Sequence, residues 1–385
     1  MTARRVKLGD LGKWGSGGTP LASRADYYGG DIPWLIIEDL NDGVVTKAAR
    51  SITRSGLENS SAKVLPVGTL LVAMYGSIGK LGITGISCAT NQAMAFCKCD
   101  AGQVDTRFLF FLLLHERVHF INAGRGGTQQ NISGEFLKDY EISLPGLAEQ
   151  QWIAKRLEQA DQLVRTCRYA LELTDTVLPA TFRQLFGPRL KAGPFLAFGE
   201  LVEITGGGTP ARDRPEFYQG RIPWLTSKDM KGDYIWDTEE HITEKGIEES
   251  ATNLVPAGSI LVVVKSKVLM HRLPVAIARV PLCHGQDIKS IQCSRTLQPE
   301  FARFVLKFHE GRLLHLARGA NTEGLTLPML KELPVPTVRL SEQQHFSEIV
   351  TRHDCLRAVQ REALREAEHL FQTLLYQAFS EGAYS

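Results

Sequence analysis

Gly17-Gly18-Thr19-Pro20, followed by Tyr28, Gly30 and Ile32-Pro33-Trp34-Leu35, is written a second time as Gly207-Gly208-Thr209-Pro210, Tyr218, Gly220 and Ile222-Pro223-Trp224-Leu225. The offset is about 190 residues, and over residues 8–40 roughly 14 of 33 aligned positions are identical without a gap. Working outward, Asp39 returns as Asp229, and Ile52-Thr53, Gly56, Pro66 and Gly68 return as Ile242-Thr243, Gly246, Pro256 and Gly258. Leu147-x-Glu149-Gln150-Gln151 returns as Leu340-x-Glu342-Gln343-Gln344. Copies this long are not solenoid units, which are far shorter. Each is a domain with an appendage.

The texture of a copy changes once. Residues 6–145 are rich in Gly, Pro and short apolar runs such as Gly68–Ala73 and Ala93–Phe96, which read as buried strands, with one helix expected over Thr106–Asn122. From Glu149 to Phe186 there is no glycine, and Ile153, Leu157, Ala160, Val164, Cys167, Leu171, Thr174, Leu178 and Leu185 advance mostly by alternating fours and threes. That is the heptad signature of a long helix packed on another. Phe346, Ile349, Leu356, Ala363, Leu370 and Leu374 suggest the same for the second copy, with Ser341 and Glu342 as its cap and Gly187-Pro188 as the stop of the first helix. A helix of about 36 residues is about 54 Å long. The expected fold class is therefore α+β: two tandem α/β globular domains, each followed by a long helix. The two helices are expected to form an antiparallel coiled coil with pseudo-twofold symmetry. The expected boundaries are 1–147, 148–187, 188–338 and 339–380.

The 385 residues, 43% hydrophobic and 22% charged, exclude wholesale disorder. The formal charge of +2 leaves any basic surface to local clustering. The seven cysteines form no CxxC pair, so no metal site is expected and the thiols read as reduced. Two arginines near the start precede no apolar stretch, and the most apolar run, Phe108–Leu114, is too short to span a bilayer. A soluble, cytoplasmic protein without a membrane partner is expected. Gly76-Ser77-Ile78-Gly79-Lys80 has two residues between its glycines and Leu81 after its lysine, so it is not a P-loop. The other glycine clusters run into Thr-Pro rather than a helix, and no histidine sits in a triad or metal pattern. No catalysis is expected of this chain.

The two copies differ most in their loops. Met74–Lys80 is replaced by Val264–Arg272, which opens a basic cluster of the kind that meets phosphate. Arg125-Gly126-Gly127-Thr128-Gln129-Gln130-Asn131 is matched by Arg318-Gly319-Ala320-Asn321-Thr322-Glu323. Arginine reads guanine, and Asn or Gln reads adenine, through paired bonds in the major groove. The plainer reading makes these polar surface loops, with the glycines forming tight turns and Trp34 and Trp224 filling the core.

In this duplicated order the chain resembles the specificity subunit of type I restriction-modification systems. The likeness is carried by the Gly-Gly-Thr-Pro to Ile-Pro-Trp openings, the Gly76–Lys80 loop, Arg125–Ile132, Leu144–Gln151 and Leu185–Gly187. The resemblance implies that each globular part is a target-recognition domain reading one half of a split, asymmetric double-stranded DNA site. It implies two modification subunits, which methylate adenine at N6 with S-adenosylmethionine, and restriction subunits using ATP and Mg²⁺, with no cofactor in this chain. DNA contacts are then expected at Tyr75, Ser77, Lys80, Arg125, Thr128 and Gln129, and at Lys228, Lys265, Lys267, Arg318 and Asn321. The second copy departs from the pattern in lacking the Gly-Ser-Ile-Gly-Lys loop. The competing expectation is a duplicated protein-interaction scaffold that binds no DNA.

Overall fold

A computed structural model describes residues 4–124, 131–319 and 324–380. It divides into two compact units, residues 1–169 with 361–385, and residues 170–360.

The first repeat supplies β1 (Arg4–Lys7), β2 (Gly12–Ser16), β3 (Tyr28–Leu35), β4 (Gly43–Val45), β5 (Arg50–Ile52), β6 (Leu70–Ala73), β7 (Leu81–Thr84), β8 (Ala89–Thr90), β9 (Met94–Cys99) and β10 (Glu141–Leu144). Its helices are α1 (Arg54–Glu58), α2 (Thr106–His115), α3 (Arg117–Gly124), α4 (Gly134–Asp139) and the long α5 (Leu147–Ala192). A five-stranded sheet runs β2-β9-β6-β7-β4, beside a three-stranded sheet β5-β3-β8 and the pair β1-β10. The pairs β4–β7 and β3–β8 are parallel and the others antiparallel.

The second repeat supplies β11 (Phe195–Ala197), β12 (Val202–Gly206), β13 (Ile222–Leu225), β14 (Tyr234–Ile235), β15 (Glu240–Ile242), β16 (Ile260–Val263), β17 (Val275–Ala278), β18 (Cys283–His284), β19 (Ile288–Cys293) and β20 (Pro334–Pro336). Its helices are α6 (Phe198–Leu201), α7 (Glu244–Glu248), α8 (Pro299–Phe308), α9 (Glu310–Gly319), α10 (Leu327–Lys331) and the long α11 (Leu340–Phe379). The strand orders β12-β19-β16-β17-β14, β15-β13-β18 and β11-β20 repeat the first unit strand for strand.

The repeated residues are the ones that close the turns. Trp34 Nε1 donates to the Gly18 carbonyl at 3.0 Å, and Trp224 Nε1 to that of Gly208 at 3.1 Å. Tyr28 and Tyr218 each donate their hydroxyl to a proline carbonyl, Pro20 and Pro210, at 2.6 Å and stand edge-on to these tryptophans. Thr53 and Thr243 cap α1 and α7 through the Gly56 and Gly246 amides at 3.1 Å. A buried tryptophan needs a partner for its N–H. The glycine-rich turn supplies one.

Gln150 and Gln343 explain the recurrent Glu-Gln-Gln. Both are buried in the first turn of a long helix. Gln150 Oε1 accepts from the Asp105 amide at 2.9 Å, and its Nε2 donates to the Gln103 and Pro145 carbonyls at 3.1 and 2.9 Å. Gln343 does the same with the Gln298 amide (2.9 Å) and the Thr296 and Val338 carbonyls (3.1 and 3.0 Å). Asp105 in turn caps α2 through the Arg107 and Phe108 amides.

Each unit holds an antiparallel coiled-coil segment made from both long helices. In the first, Ile153, Leu157, Ala160 and Val164 of α5 share a core with Ala367, Phe371 and Leu375 of α11. Arg168 Nη2 donates to Glu368 at 2.8 Å, while residues 149–157 lie against Leu374, Gln377 and Ala378. In the second, Leu178, Phe182, Phe186 and Leu190 of α5 meet Phe346 and Val350 of α11. Arg189 reaches Glu342 at 2.8 Å, and His353 Nε2 donates to the Thr174 carbonyl at 2.9 Å. Each repeat's domain is thus completed by the C-terminal half of the other repeat's helix.

Several expectations need correction. The region expected as one helix over Thr106–Asn122 is two, α2 and α3, broken at Glu116. Gly187-Pro188 does not stop α5, which runs to Ala192 through Pro179 and Pro188. Burial of Phe186 and Leu190 and the Arg189–Glu342 pair hold that last turn against the proline's lost N–H. The cap of α11 is not Ser341: the helix starts at Leu340, and Glu342 reaches back to the Arg339 amide at 3.3 Å. Leu185, Leu356, Ala363 and Leu370 are exposed rather than in the stripe. Beyond Leu178 the buried positions of α5 step by fours to Phe182, Phe186 and Leu190. In α11 the buried positions include His353, and half-buried Arg357 is held by Asp175 at 2.6 Å, so a hydrophobic count misses the seam.

Candidate nucleic-acid interface

β6 and β7 pair with Leu70 opposite Ile83 and Val72 opposite Leu81, leaving residues 74–80 as the loop of a hairpin. Gly76 and Gly79 take positive φ (65° and 75°), the conformation for which glycine is the default. The Gly79 amide donates to the Ala73 carbonyl at 3.0 Å and the Lys80 amide to that of Ser77 at 3.0 Å, which closes the loop on itself. Tyr75 and Ser77 are exposed at the tip. Lys80 is half-buried and its Nζ donates to the Ile37 carbonyl at 3.2 Å, so its ammonium is directed along the loop's flank.

This hairpin stands beside the end of α3. The Ile132 amide donates to the Met74 carbonyl at 3.1 Å, and Tyr75 bridges Asn131. The two loops that differ most between the copies therefore meet at their bases. Arg125, Thr128 and Gln129 lie outside the described residues. A cleft of about 450 Å³ opens along the hairpin, lined by Asp42, Gly76, Ser77, Lys80 and Arg117.

The second unit repeats the juxtaposition with other chemistry. Between β16 and β17 the loop is longer and carries a short 3₁₀ turn, Lys267–Met270, capped by Ser266 on the Val268 amide at 3.4 Å. Lys265 and Lys267 are exposed. Arg318, exposed at the end of α9, donates to the Met270 carbonyl at 2.5 Å, and the Leu325 amide donates to that of Val264 at 2.7 Å. Arg318 thus reaches the loop that carries Lys265 and Lys267. Lys228 is exposed on the turn after β13, whose Asp229 accepts from the Thr226 amide at 2.8 Å, just as Asp39 accepts from Ile36. Asn321 lies outside the described residues.

The buried titratable groups argue for structure here. Burial pushes the Cys88 and Cys283 thiols up to about 11, away from nucleophilic use. Burial lowers the pKa of His284 and His309, which keeps both neutral, with His309 donating Nε2–H to the Pro334 carbonyl at 3.1 Å. Among the described residues no group of three His, Cys, Asp or Glu could hold a metal, and no helix is long and apolar enough to cross a membrane. Sequence reasoning missed Asp42 and Arg117, which grip the root of the first hairpin. The Asp42-Gly43 turn dipeptide was the available signal.

A family model described as the type I restriction modification DNA specificity domain matches residues 3–171 and again 195–368. The chain is similar to the type I restriction enzyme EcoR124I/EcoR124II specificity subunit of Escherichia coli, 32% identical over 161 residues covering 41% of this chain and 40% of that protein. It is similar along more of its length to the MjaVIII specificity subunit of Methanocaldococcus jannaschii, 21% identical over 94% of this chain and 88% of that one. The matched part of the Escherichia coli relative is less than half of that protein. Among solved structures, the S subunit of a type I restriction-modification system from M. genitalium superposes with a TM-score of 0.63 at 17% identity, over 98% of this chain and 96% of that one.

Proposed function

Since this chain belongs, in both of its repeats, to the family of type I restriction modification DNA specificity domains, we propose that it is the reading subunit of such a complex, each unit reading one half of a bipartite double-stranded DNA site. The observation that carries this reading is one frame built twice with different readers. Identical strand orders place a hairpin loop beside a helix end in each unit, with Tyr75, Ser77 and Lys80 on the first hairpin, and in the second unit Lys265 and Lys267 on the hairpin, Arg318 at the end of α9 and Lys228 on the turn after β13. Arg125, Thr128, Gln129 and Asn321 complete the two sets as further DNA contacts.

Two modification subunits dock on the long helices. Leu163 and Leu356 hold equivalent positions in α5 and α11, as do Val177 and Leu370, and all four are exposed. Duplicated apolar positions suit two copies of one partner. Methyl transfer from S-adenosylmethionine to adenine N6 belongs to those subunits, and ATP with Mg²⁺ to the restriction subunits. This chain performs no chemistry and acts in the cytoplasm.

The test is domain exchange. Replacing residues 1–145 with the counterpart from a relative, in the complex with modification subunits, should change one half-site and spare the other, because base contacts specify locally. Binding should weaken steeply with salt as counterions are released. Change in both halves refutes the two-reader model, and salt-insensitive or absent DNA binding favours a protein scaffold.

A further inference from the structure

Asp42 is the one non-glycine residue in the left-handed region (φ 55°) among those described. Its carboxylate accepts Nη1 and Nη2 of Arg117 at 3.1 and 2.5 Å and the Leu81 amide at 2.9 Å. Arg117 Nε donates to the Gly79 carbonyl at 2.9 Å. One guanidinium therefore grips the last residues of the hairpin loop and the turn beneath it, and a paired, charge-assisted contact of this kind has fixed geometry. The Asp42 amide donates to the Leu81 carbonyl at 3.1 Å. Its own carbonyl accepts from Arg165 Nη2 of α5 at 2.5 Å, and Arg165 is paired with Asp161 at 2.6 Å. A continuous chain of contacts runs from the long helix through Asp42 to the hairpin's root.

The second unit grips the equivalent place on its hairpin with the opposite charge at the Arg117 position. Asp42 is replaced by Gly232 and Arg117 by Glu310. Glu310 Oε1 accepts from the Leu273 amide at 2.6 Å, and Lys307, paired with Glu310 at 2.9 Å, donates to the Leu273 carbonyl at 3.1 Å. The tie to the long helix passes to Asp233, which holds Arg303 at 2.6 Å and Arg357 of α11 at 3.6 Å.

We propose that Arg117 with Asp42, and Glu310 with Lys307, are positioning residues for sequence discrimination, each pair latching the root of one reading hairpin without touching DNA. This rests on the DNA-reading assignment above. An unlatched hairpin populates several conformers, and apparent affinity falls with the competent fraction. Because the polarities are opposite, a latch residue from one unit does not serve in the other.

The experiment uses the full chain assembled with modification subunits. A randomised duplex library first defines the wild-type site, and duplexes with either half-site scrambled then measure discrimination. Arg117→Ala should lower affinity for the intact first half-site roughly 10- to 100-fold. Second half-site discrimination and the salt slope should stay unchanged, since no phosphate contact is lost. Asp42→Asn, which keeps the shape and tolerates the left-handed conformation, should show a smaller loss on the same half. Arg117→Lys should rescue part of it, and Glu310→Gln should act on the second half only. Hydrogen exchange at Gly79 and Leu81 should quicken in the free Arg117→Ala and Asp42→Asn chains. Unchanged first half-site discrimination in either folded variant, or equal loss at both halves, overturns the latch. A wild type that prefers no sequence at either half refutes the DNA-reading assignment instead.

Discussion

Gln150→Leu keeps the side chain's bulk and removes all three hydrogen bonds that seat α5 on its domain. The Asp105 amide and the Gln103 and Pro145 carbonyls lose their partner. A net hydrogen bond is worth about 1 kcal/mol and an orphaned buried donor costs about 1–3 kcal/mol, so the expected loss is roughly 2–4 kcal/mol, offset slightly by the apolar gain. Gln150→Glu sharpens the argument. One carboxylate oxygen still accepts from Asp105, but the other faces two carbonyl oxygens in a site only 1% exposed. Its pKa is therefore raised in the folded state. Stability lost relative to the wild type should be smallest below the unfolded value of about 4.3 and grow with pH up to the folded value, at about 1.4 kcal/mol per unit between them. Urea unfolding at pH 5 and 8, with hydrogen exchange across Asp105–Phe108 as the local reporter, measures both effects. Gln343→Leu is the matched control for the second unit. A Gln150→Leu chain within about 0.5 kcal/mol of wild type, or a Gln150→Glu chain whose relative stability rises with pH, would refute the reasoning.

Gly17→Ala and Gly207→Ala should each destabilise by roughly 1–3 kcal/mol or more in thermal unfolding. The new Cβ falls inside contact distance of the Thr90 and Asn91 backbone in one case and of His284 in the other. Burial lowers the folded pKa of His284 and His309 below 6.5. The unfolded chain then binds more protons, so stability falls as pH drops below about 6.5 and continues to fall until the folded values are passed. His309→Gln, which can still donate to Pro334, should flatten the dependence of Tm on pH. Leu163→Asp and Leu356→Asp should leave the free chain's Tm within about 2 °C, because both side chains are exposed, while each lowers the number of modification subunits bound in sedimentation from two to one.

The repeat was legible because turn-closing residues tolerate little change. A Cβ has no room where Gly17 and Gly207 meet backbone, and Trp34 and Trp224 fill the core while supplying the N–H that the Gly18 and Gly208 carbonyls accept. The long helices were legible from their glycine-free length. Their seam was not, since His353 and Arg357 stand at inner positions of α11 while Leu356 and Leu370 face out. A hydrophobic count assigns the outward leucines to the core because it cannot see the Thr174 carbonyl or Asp175 waiting for the polar ones. Pro188 misled for a related reason: a proline in a final turn forfeits little when Leu190 beyond it is buried. The candidate loops were found by their difference between copies, which sequence displays directly. The latch at Asp42 was not, because its partners Arg117 and Arg165 are distant in the chain.

The exchange of helix halves sets a timetable for synthesis. The first unit's core needs Ala367, Phe371 and Leu375, which leave the ribosome about 200 residues after Val164. At about 5–20 residues per second the wait is on the order of 10–40 s. Throughout that interval the nascent first domain presents Ile153, Leu157 and Val164, which share a core with Phe108 and Phe111, to solvent as an open apolar strip. The second domain finds its borrowed half-helix, Leu178 to Leu190, already made. The repeat synthesised first is thus the last to be finished, and its apolar strip stays uncovered until the second half of α11 has been made.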